Sequence, residues 1–181
     1  MPNKSIFILI FLFVAFLQLL VPANMIFQKN KTVVSGTKYK FKVKPVDPAD
    51  PFLGRYIDLS FDQDTFVIKD SKFYKDQETI YVEIAQGIDS FAIIKNISLS
   101  PFKDTKHFIT AKVAYIQENR VHIEYPFTRF YMEESKAPEA ETKVNIMLRD
   151  STYLGYAEIF VYKGATVVQD VKINNRTIKS L

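Results

Sequence analysis

Short runs in which apolar and polar residues alternate dominate the chain beyond residue 28, and this pattern constrains the fold most. From Tyr39 to Lys44, aromatic or aliphatic side chains alternate strictly with lysines. A period of two residues places alternate side chains on opposite faces of a β-strand. The segment therefore predicts an amphipathic strand with one solvated lysine face.

Similar runs of β-branched and aromatic residues follow along the rest of the chain. They predict strands at Thr79–Ile84, Phe91–Ile97, Phe108–Ile116, Val121–Tyr125, Phe130–Glu133, Val144–Leu148, Tyr156–Tyr162 and Thr166–Ile173. Turn-forming residues bound them at Gln86-Gly87, Glu118-Asn119, Gly155 and Lys163-Gly164, and Pro138 favours a short helix at Ala137–Glu141. This spacing is typical of an all-β fold, mainly an antiparallel sandwich or barrel.

A long apolar segment, from Ile6 to Phe27, precedes the strands. At 1.5 Å per residue, a helix of this length spans the roughly 30 Å of bilayer hydrocarbon. We expect one N-terminal transmembrane helix within residues 1–28, an anchor or signal-anchor, and one β-rich domain over residues 29–181. The alternative is a cleaved signal peptide, with Lys4 as its charged start and a small-residue site at Val21-Pro22-Ala23.

Composition excludes several classes of function. The chain has no cysteine, which excludes disulfides, cysteine-ligated zinc, iron–sulfur clusters and thiol catalysis. The formal net charge is only +4, and the one basic cluster, the lysines between residues 29 and 44, fits a strand face better than a nucleic-acid surface. Contact of these lysines with anionic lipid head groups is the alternative to a solvated face.

A proline-rich corner follows the lysine strand. Asp47-Pro48 and Asp50-Pro51 restrict the backbone to extended or turn geometry, and a turn between two core strands is the simplest interpretation. Asp47 and Asp50 are also candidate binding residues. They do not make a calcium loop, because the later bidentate glutamate of such loops is missing.

The block after this corner carries a family signature. Gly54, Tyr56 and Leu59 resemble the signature of the GDYXXLXY family, with Phe61 in place of its final tyrosine, and this family comprises bacterial membrane-anchored proteins without an established activity. Arg55 stands where the family has an aspartate. The resemblance implies an exported, membrane-anchored protein, and it implies no reaction.

A second segment, from Tyr125 to Lys136, also resembles the family. Arg129, Glu134 and Lys136 lie here among aromatic residues that include Tyr131. Such a segment is either a solvated edge beside the core or a groove that suits a peptide or glycan. If the two segments meet in the fold, we expect Arg55 to pair with Glu134.

Nothing in the sequence has the spacing of a catalytic or metal site. His107 and His122 are the only histidines, and neither belongs to a nucleophile or zinc motif. We therefore expect no enzyme, no cofactor, no metal site and no catalytic residues. The candidate binding residues are Asp47, Asp50, Arg55, Tyr56, Asp58, Arg129, Tyr131, Glu134 and Lys136.

The sequence favours an interaction or assembly module that binds another membrane or envelope protein. A ligand-binding module for a peptide, glycan or lipid head group is the first alternative, and a hydrolase with paired carboxylates is the second. The signal-like N-terminus and the family resemblance predict a single pass of the inner membrane, with the domain outside the cytoplasm. Lysines are denser after the span than before it, which by the positive-inside rule favours the opposite orientation.

Overall fold

The structure is a computed structural model, and it describes residues 4–45, 56–69, 71–131, 144, 146–149 and 152–178. One helix, α1 (Lys4–Ser35), precedes the strands. The described strands are β1 (Thr37–Lys44), β2 (Tyr56–Asp58), β3 (Ser60–Phe61), β4 (Thr65–Val67), β5 (Thr79–Gln86), β6 (Ala92–Ser98), β7 (Phe108–Gln117), β8 (Arg120–Glu124), β9 (Arg129–Tyr131), β10 (Gly155–Tyr162), β11 (Ala165–Ile173) and β12 (Arg176–Thr177). A short 3-10 turn, η1 (Ser71–Phe73), follows β4.

The strands form two larger sheets and one small one, and their pairing is antiparallel throughout the named strands. The first sheet has the order β12-β11-β10-β1-β3, and the second has the order β4-β8-β7-β5-β6. The edge strands β4 and β6 of the second sheet approach each other, which nearly closes it into a barrel. Strands β2 and β9 pair separately as a two-stranded sheet. The predicted all-β, mainly antiparallel fold after one apolar helix is confirmed.

Helix α1 is apolar and exposed along nearly all of its length. The stretch Ser5–Ser35 is long and apolar enough to cross a membrane, and the helix continues through Pro22. Only its last turn touches the domain closely, where Thr32 is buried and its hydroxyl donates to the carbonyl oxygen of Gln28 at 3.0 Å. The anchor thus projects from the domain as a single rod.

An aromatic cluster joins the sheets in the core. It consists of Phe41 on β1, Phe61 on β3, and Tyr125 and Phe127 in the connection from β8 to β9. All four side chains are buried, and the ring centroids of Phe41 lie 5.3–5.8 Å from the other three. Most of these pairs meet edge to face, the arrangement that aromatic quadrupoles favour. The Tyr125 hydroxyl donates to the carbonyl oxygen of Gln63 at 2.6 Å, which satisfies its one polar atom.

Two sequence predictions about local structure were wrong. Residues Val144–Leu148 were expected to form a strand, but residues 144 and 146–149 are helical. Val144 is buried and Ile146 is exposed. A short apolar run such as this one is compatible with a strand or a helix, and periodicity alone does not distinguish the two. Gly155 was expected in a turn, and it instead begins β10, where a Cβ would overlap the side chain of Leu148.

The lysine strand differs from the expected solvated face because its lysines have partners. Lys42 binds Asp89 at 2.7 Å, and Lys44 binds Asp64 at 2.5 Å. Lys40 lies 5.1 Å above the centroid of the Tyr156 ring. The ammonium groups of this strand are therefore largely engaged within the domain.

Glu158 is the one buried carboxylate among the described residues. It lies on β10, its side chain is 7% exposed, and it accepts a hydrogen bond from Lys172 at 3.1 Å. Lys38 on the other side lies 3.5 Å away. Burial acts to raise the pKa of Glu158, but the hydrogen bond from Lys172 and the two lysine charges hold that pKa below its ordinary value.

Replacing Glu158 by glutamine should therefore lower stability at neutral pH by roughly 1–2 kcal/mol, because a charge-assisted hydrogen bond is lost while the lysines stay partly solvated. A carboxyl whose folded pKa is depressed stabilises the fold above its unfolded pKa of about 4.3 and loses that contribution as the pH falls. Glu158→Gln should flatten the decline in stability below about pH 5. Urea unfolding of the full chain in detergent, from pH 7 to pH 3, measures this.

The matched control is Glu118→Gln, at the exposed turn between β7 and β8. Equal pH dependence in the two variants would contradict a stabilising role for the buried carboxylate.

Candidate functional site

The two segments that the sequence singled out meet in the small sheet. Strand β2 carries the signature and pairs with β9 in the antiparallel register Tyr56↔Tyr131, Ile57↔Phe130 and Asp58↔Arg129. The backbone N–H of Leu59 extends this pairing by donating to the carbonyl oxygen of Thr128 at 2.7 Å. We call this pair of strands the signature ribbon.

The side chains of the signature ribbon divide between core and solvent. Ile57 and Phe130 are buried, at 1% and 5% exposure. Their neighbours Asp58, Arg129 and Tyr131 are exposed, the last at 65%. Period-two alternation explains the division, because adjacent residues of a strand point to opposite faces. The ribbon is thus held by its apolar face and presents a polar and aromatic face outward.

One loose ion pair crosses this outer face. The Nε atom of Arg129 lies 4.0 Å from Oδ1 of Asp58, and both side chains are about half exposed. A pair of this length in water contributes little to stability. The side chains of Asp58 and Arg129 are thus exposed on the outer face of the ribbon.

The signature residues that the structure describes are chiefly structural. Leu59 and Phe61 are buried at 3% and 2% exposure, and the Phe61 ring lies 5.2 Å from that of Phe127 within the aromatic cluster. The signature thus fixes a strand to the core and places Asp58 beside Arg129.

The remaining predicted site residues lie outside the described residues. They are Asp47, Asp50, Gly54, Arg55, Glu134 and Lys136, together with the Ala137–Glu141 helix and the proline corner. Of the predicted binding residues, the structure brings together Tyr56, Asp58, Arg129 and Tyr131. The meeting of the two segments satisfies the condition set for an Arg55–Glu134 pair, and that pair stays a prediction.

Comparison with known families identifies a family whose model matches most of the chain. The model of the family described as GDYXXLXY protein matches residues 18–171. The chain belongs to the GDYXXLXY family. No curated protein matches the chain, and no solved structure matches it. The match in this GDYXXLXY protein extends from within α1 to within β11, so it includes the signature ribbon, the second sheet and all strands of the first sheet except the end of β11 and β12.

A polar cavity of about 720 Å³ lies away from the ribbon, near the start of β1. The hydroxyl of Tyr39 and Nδ1 of His107 lie 3.0 Å apart at its wall, within hydrogen-bonding distance. Burial raises the pKa of Tyr39, so this phenol stays protonated at neutral pH. Lys95 and Glu83 pair at 2.8 Å on the same lining.

Sequence reasoning missed this cavity, because its lining comes from β1, β5, β6 and the loop before β7. No local spacing signals such a set. The other histidine, His122, is half-buried, with its ring stacked 4.1 Å from that of Tyr115. In the described part of the chain, no group of three or more histidine or acidic side chains is placed to hold a metal ion.

Leu59→Ala should destabilise the domain by about 2–5 kcal/mol, because it leaves a cavity at a buried position. Asp58→Ala, one residue away on the exposed face, should change stability by less than about 0.5 kcal/mol. Urea unfolding of both variants tests the division between core and surface. A cost at Asp58 that equals the cost at Leu59 would show that the outer face of the ribbon is itself structural.

Proposed function

We propose that this GDYXXLXY protein is a non-enzymatic interaction module, anchored in the membrane, that binds another membrane or envelope protein through the outer face of the signature ribbon. The observation that supports this most is the composition of that face. Tyr131 and Arg129 stand exposed beside Asp58 on a ribbon whose other face is buried. Tyrosine and arginine are enriched in protein interfaces and among their energetic anchors.

Rigid support of the ribbon favours recognition of a protein. Ile57, Leu59 and Phe130 fix the ribbon from below, so little conformational freedom remains to be lost there on binding. Binding surfaces that are already ordered retain more of their interaction energy as affinity. The outer face of the ribbon presents Asp58, Arg129 and Tyr131 to solvent, and such an exposed polar and aromatic face suits a partner surface more than a small ligand.

Crosslinked co-purification of the full-length protein from its native membranes tests the proposal. We expect one dominant membrane partner from the unmodified chain, and a loss of at least fivefold in its recovery from the double variant Asp58→Ala/Tyr131→Ala, because both changes remove outward side chains only. The control is Tyr115→Ala on β7, an exposed tyrosine that belongs to the second sheet and not to the ribbon.

Equal recovery of the partner from both variants would place the contact elsewhere on the domain. Absence of any stoichiometric partner would contradict the interaction function. That second result would favour the other candidate, a ligand-binding module for a peptide, glycan or head group, which the cavity beside Tyr39 and His107 supports. The hydrolase alternative depends on Asp50, Glu133 and Glu134, which lie outside the described residues.

We further propose that the protein crosses the inner membrane once, with its domain outside the cytoplasm. The length and exposure of α1 support a single-pass anchor. The signal-like start of the chain supports export, against the lysine distribution around the span.

The absence of native cysteine allows a direct test of orientation. In Lys75→Cys, the new thiol occupies an exposed loop position, and we expect a membrane-impermeant maleimide to label it in intact spheroplasts as fully as after lysis. The unmodified chain is the blank. Labelling that appears only after lysis would place the domain in the cytoplasm and overturn the proposed orientation.

A further inference from the structure

The anchor joins the β-domain directly. Helix α1 ends at Ser35, β1 begins at Thr37, and Gly36 alone lies between them. The N–H of Gly36 donates to the carbonyl oxygen of Thr32 at 2.9 Å. A Cβ on Gly36 would overlap that oxygen and lie 3.1 Å from the carbonyl oxygen of Val161. The end of the helix is therefore packed against β10, with no linker between the anchor and the domain.

The turn between β10 and β11 lies at this junction. Lys163 follows Val161 by two residues, roughly 7 Å along the strand. Its backbone N–H donates to the carbonyl oxygen of Lys106 at 2.8 Å, and Gly164 donates to Phe108 at 2.8 Å. The positive φ angles of Lys163 and Gly164, 47° and 89°, make the turn tight. Two exposed lysines are thereby held side by side near the point where the helix enters the domain.

Two further lysines lie on the helix itself. Lys29 and Lys31 follow Phe27, the last residue of the apolar segment, and the helix ends at Ser35 about 12 Å beyond Phe27 at 1.5 Å per residue. Lys29 and Lys31 lie roughly 3 and 6 Å beyond Phe27, within the head-group layer of about 5–8 Å that flanks the hydrocarbon on each side. The junction therefore brings Lys29, Lys31, Lys106 and Lys163 to the membrane side of the domain, and we call these four residues the junction lysines.

The junction lysines differ from the lysines of β1. Lys38, Lys42 and Lys44 each have a carboxylate partner within 4 Å. For the junction lysines, no carboxylate among the described residues comes within ion-pair distance, and the one recorded contact of their side chains is that of Lys163 with the Tyr162 ring at 5.9 Å. Their charges are thus available to an external anion.

We infer that the junction lysines form a docking surface for anionic phospholipid head groups, which holds the membrane-proximal end of the domain against the bilayer. Cationic side chains are attracted to an anionic leaflet when they lie within about 8–10 Å of it, the screening length at physiological salt. The rigid junction keeps Lys106 and Lys163 near the head of the helix, so the bilayer is the anionic surface that is always within their reach. This inference depends on the anchor but not on the ribbon or on the side of the membrane.

A fluorescence experiment tests the surface with the full chain in lipid nanodiscs. A single environment-sensitive label is attached at Ala165→Cys, beside the turn, and quenched by lipids that carry a nitroxide on the head group. In discs of phosphatidylcholine with one quarter phosphatidylglycerol, we expect at least twice the quenching seen in phosphatidylcholine alone, because attraction to the head groups tilts the joined helix and domain until the turn approaches the bilayer. The difference should disappear in 0.5 M salt and in the double variant Lys106→Gln/Lys163→Gln.

The control label is placed at Gln117→Cys, at the other end of β7 and about 30 Å from Phe108 by strand length, and its quenching should not respond to lipid charge. Quenching at Ala165→Cys that is unchanged by phosphatidylglycerol, by salt and by the two substitutions would overturn the inference. Because the discs hold no partner protein, this failure is distinct from a failure of the proposed interaction function.

Discussion

Edge-to-face packing around Phe41 is the interaction on which the rest of the domain depends. This side chain is fully buried on β1 and contacts rings from β3 and from the connection between β8 and β9. The same few rings thus tie the first sheet, the second sheet and the signature to one another. Buried aromatic residues bring large apolar areas together with a defined mutual geometry. The signature ribbon is consequently attached to the core, and buried residues determine the orientation of its exposed face.

The sequence was sufficient for the class of fold because period-two patterns are local and strong. The segment of β1 illustrates this, since its alternation from Tyr39 to Lys44 places three side chains in the core as expected. Short elements were harder. Strands β4 and β12 have three and two residues, too few to show a period, and Val144–Leu148 shows how a short apolar run serves a helix equally well.

The candidate site was only partly accessible to sequence reasoning. The family resemblance indicated the two segments that contain Tyr56 and Tyr131. Their pairing joins residues that are far apart in the sequence, and only the structure shows it. No local sequence pattern predicted the cavity at His107, because the residues that line it are distant from one another in the sequence. The lysines of β1 looked like a free basic face, yet their partners Asp64, Asp89 and Glu158 come from other strands and turns. The number and position of charged residues in a sequence do not predict ion pairs between distant segments.

Because a single glycine separates α1 from β1, the anchor and the domain are connected rigidly. An apolar segment of about 33 Å slightly exceeds the roughly 30 Å of hydrocarbon, and such a helix adjusts by tilting. With no hinge at Gly36, any tilt of the helix turns the whole domain through the same angle. Strand β1 carries its far end some 26 Å from the junction at about 3.3 Å per residue, so a modest tilt displaces that end by several ångströms. The thickness of the bilayer, through the tilt of the helix, thereby determines the position of the far end of the domain above the membrane.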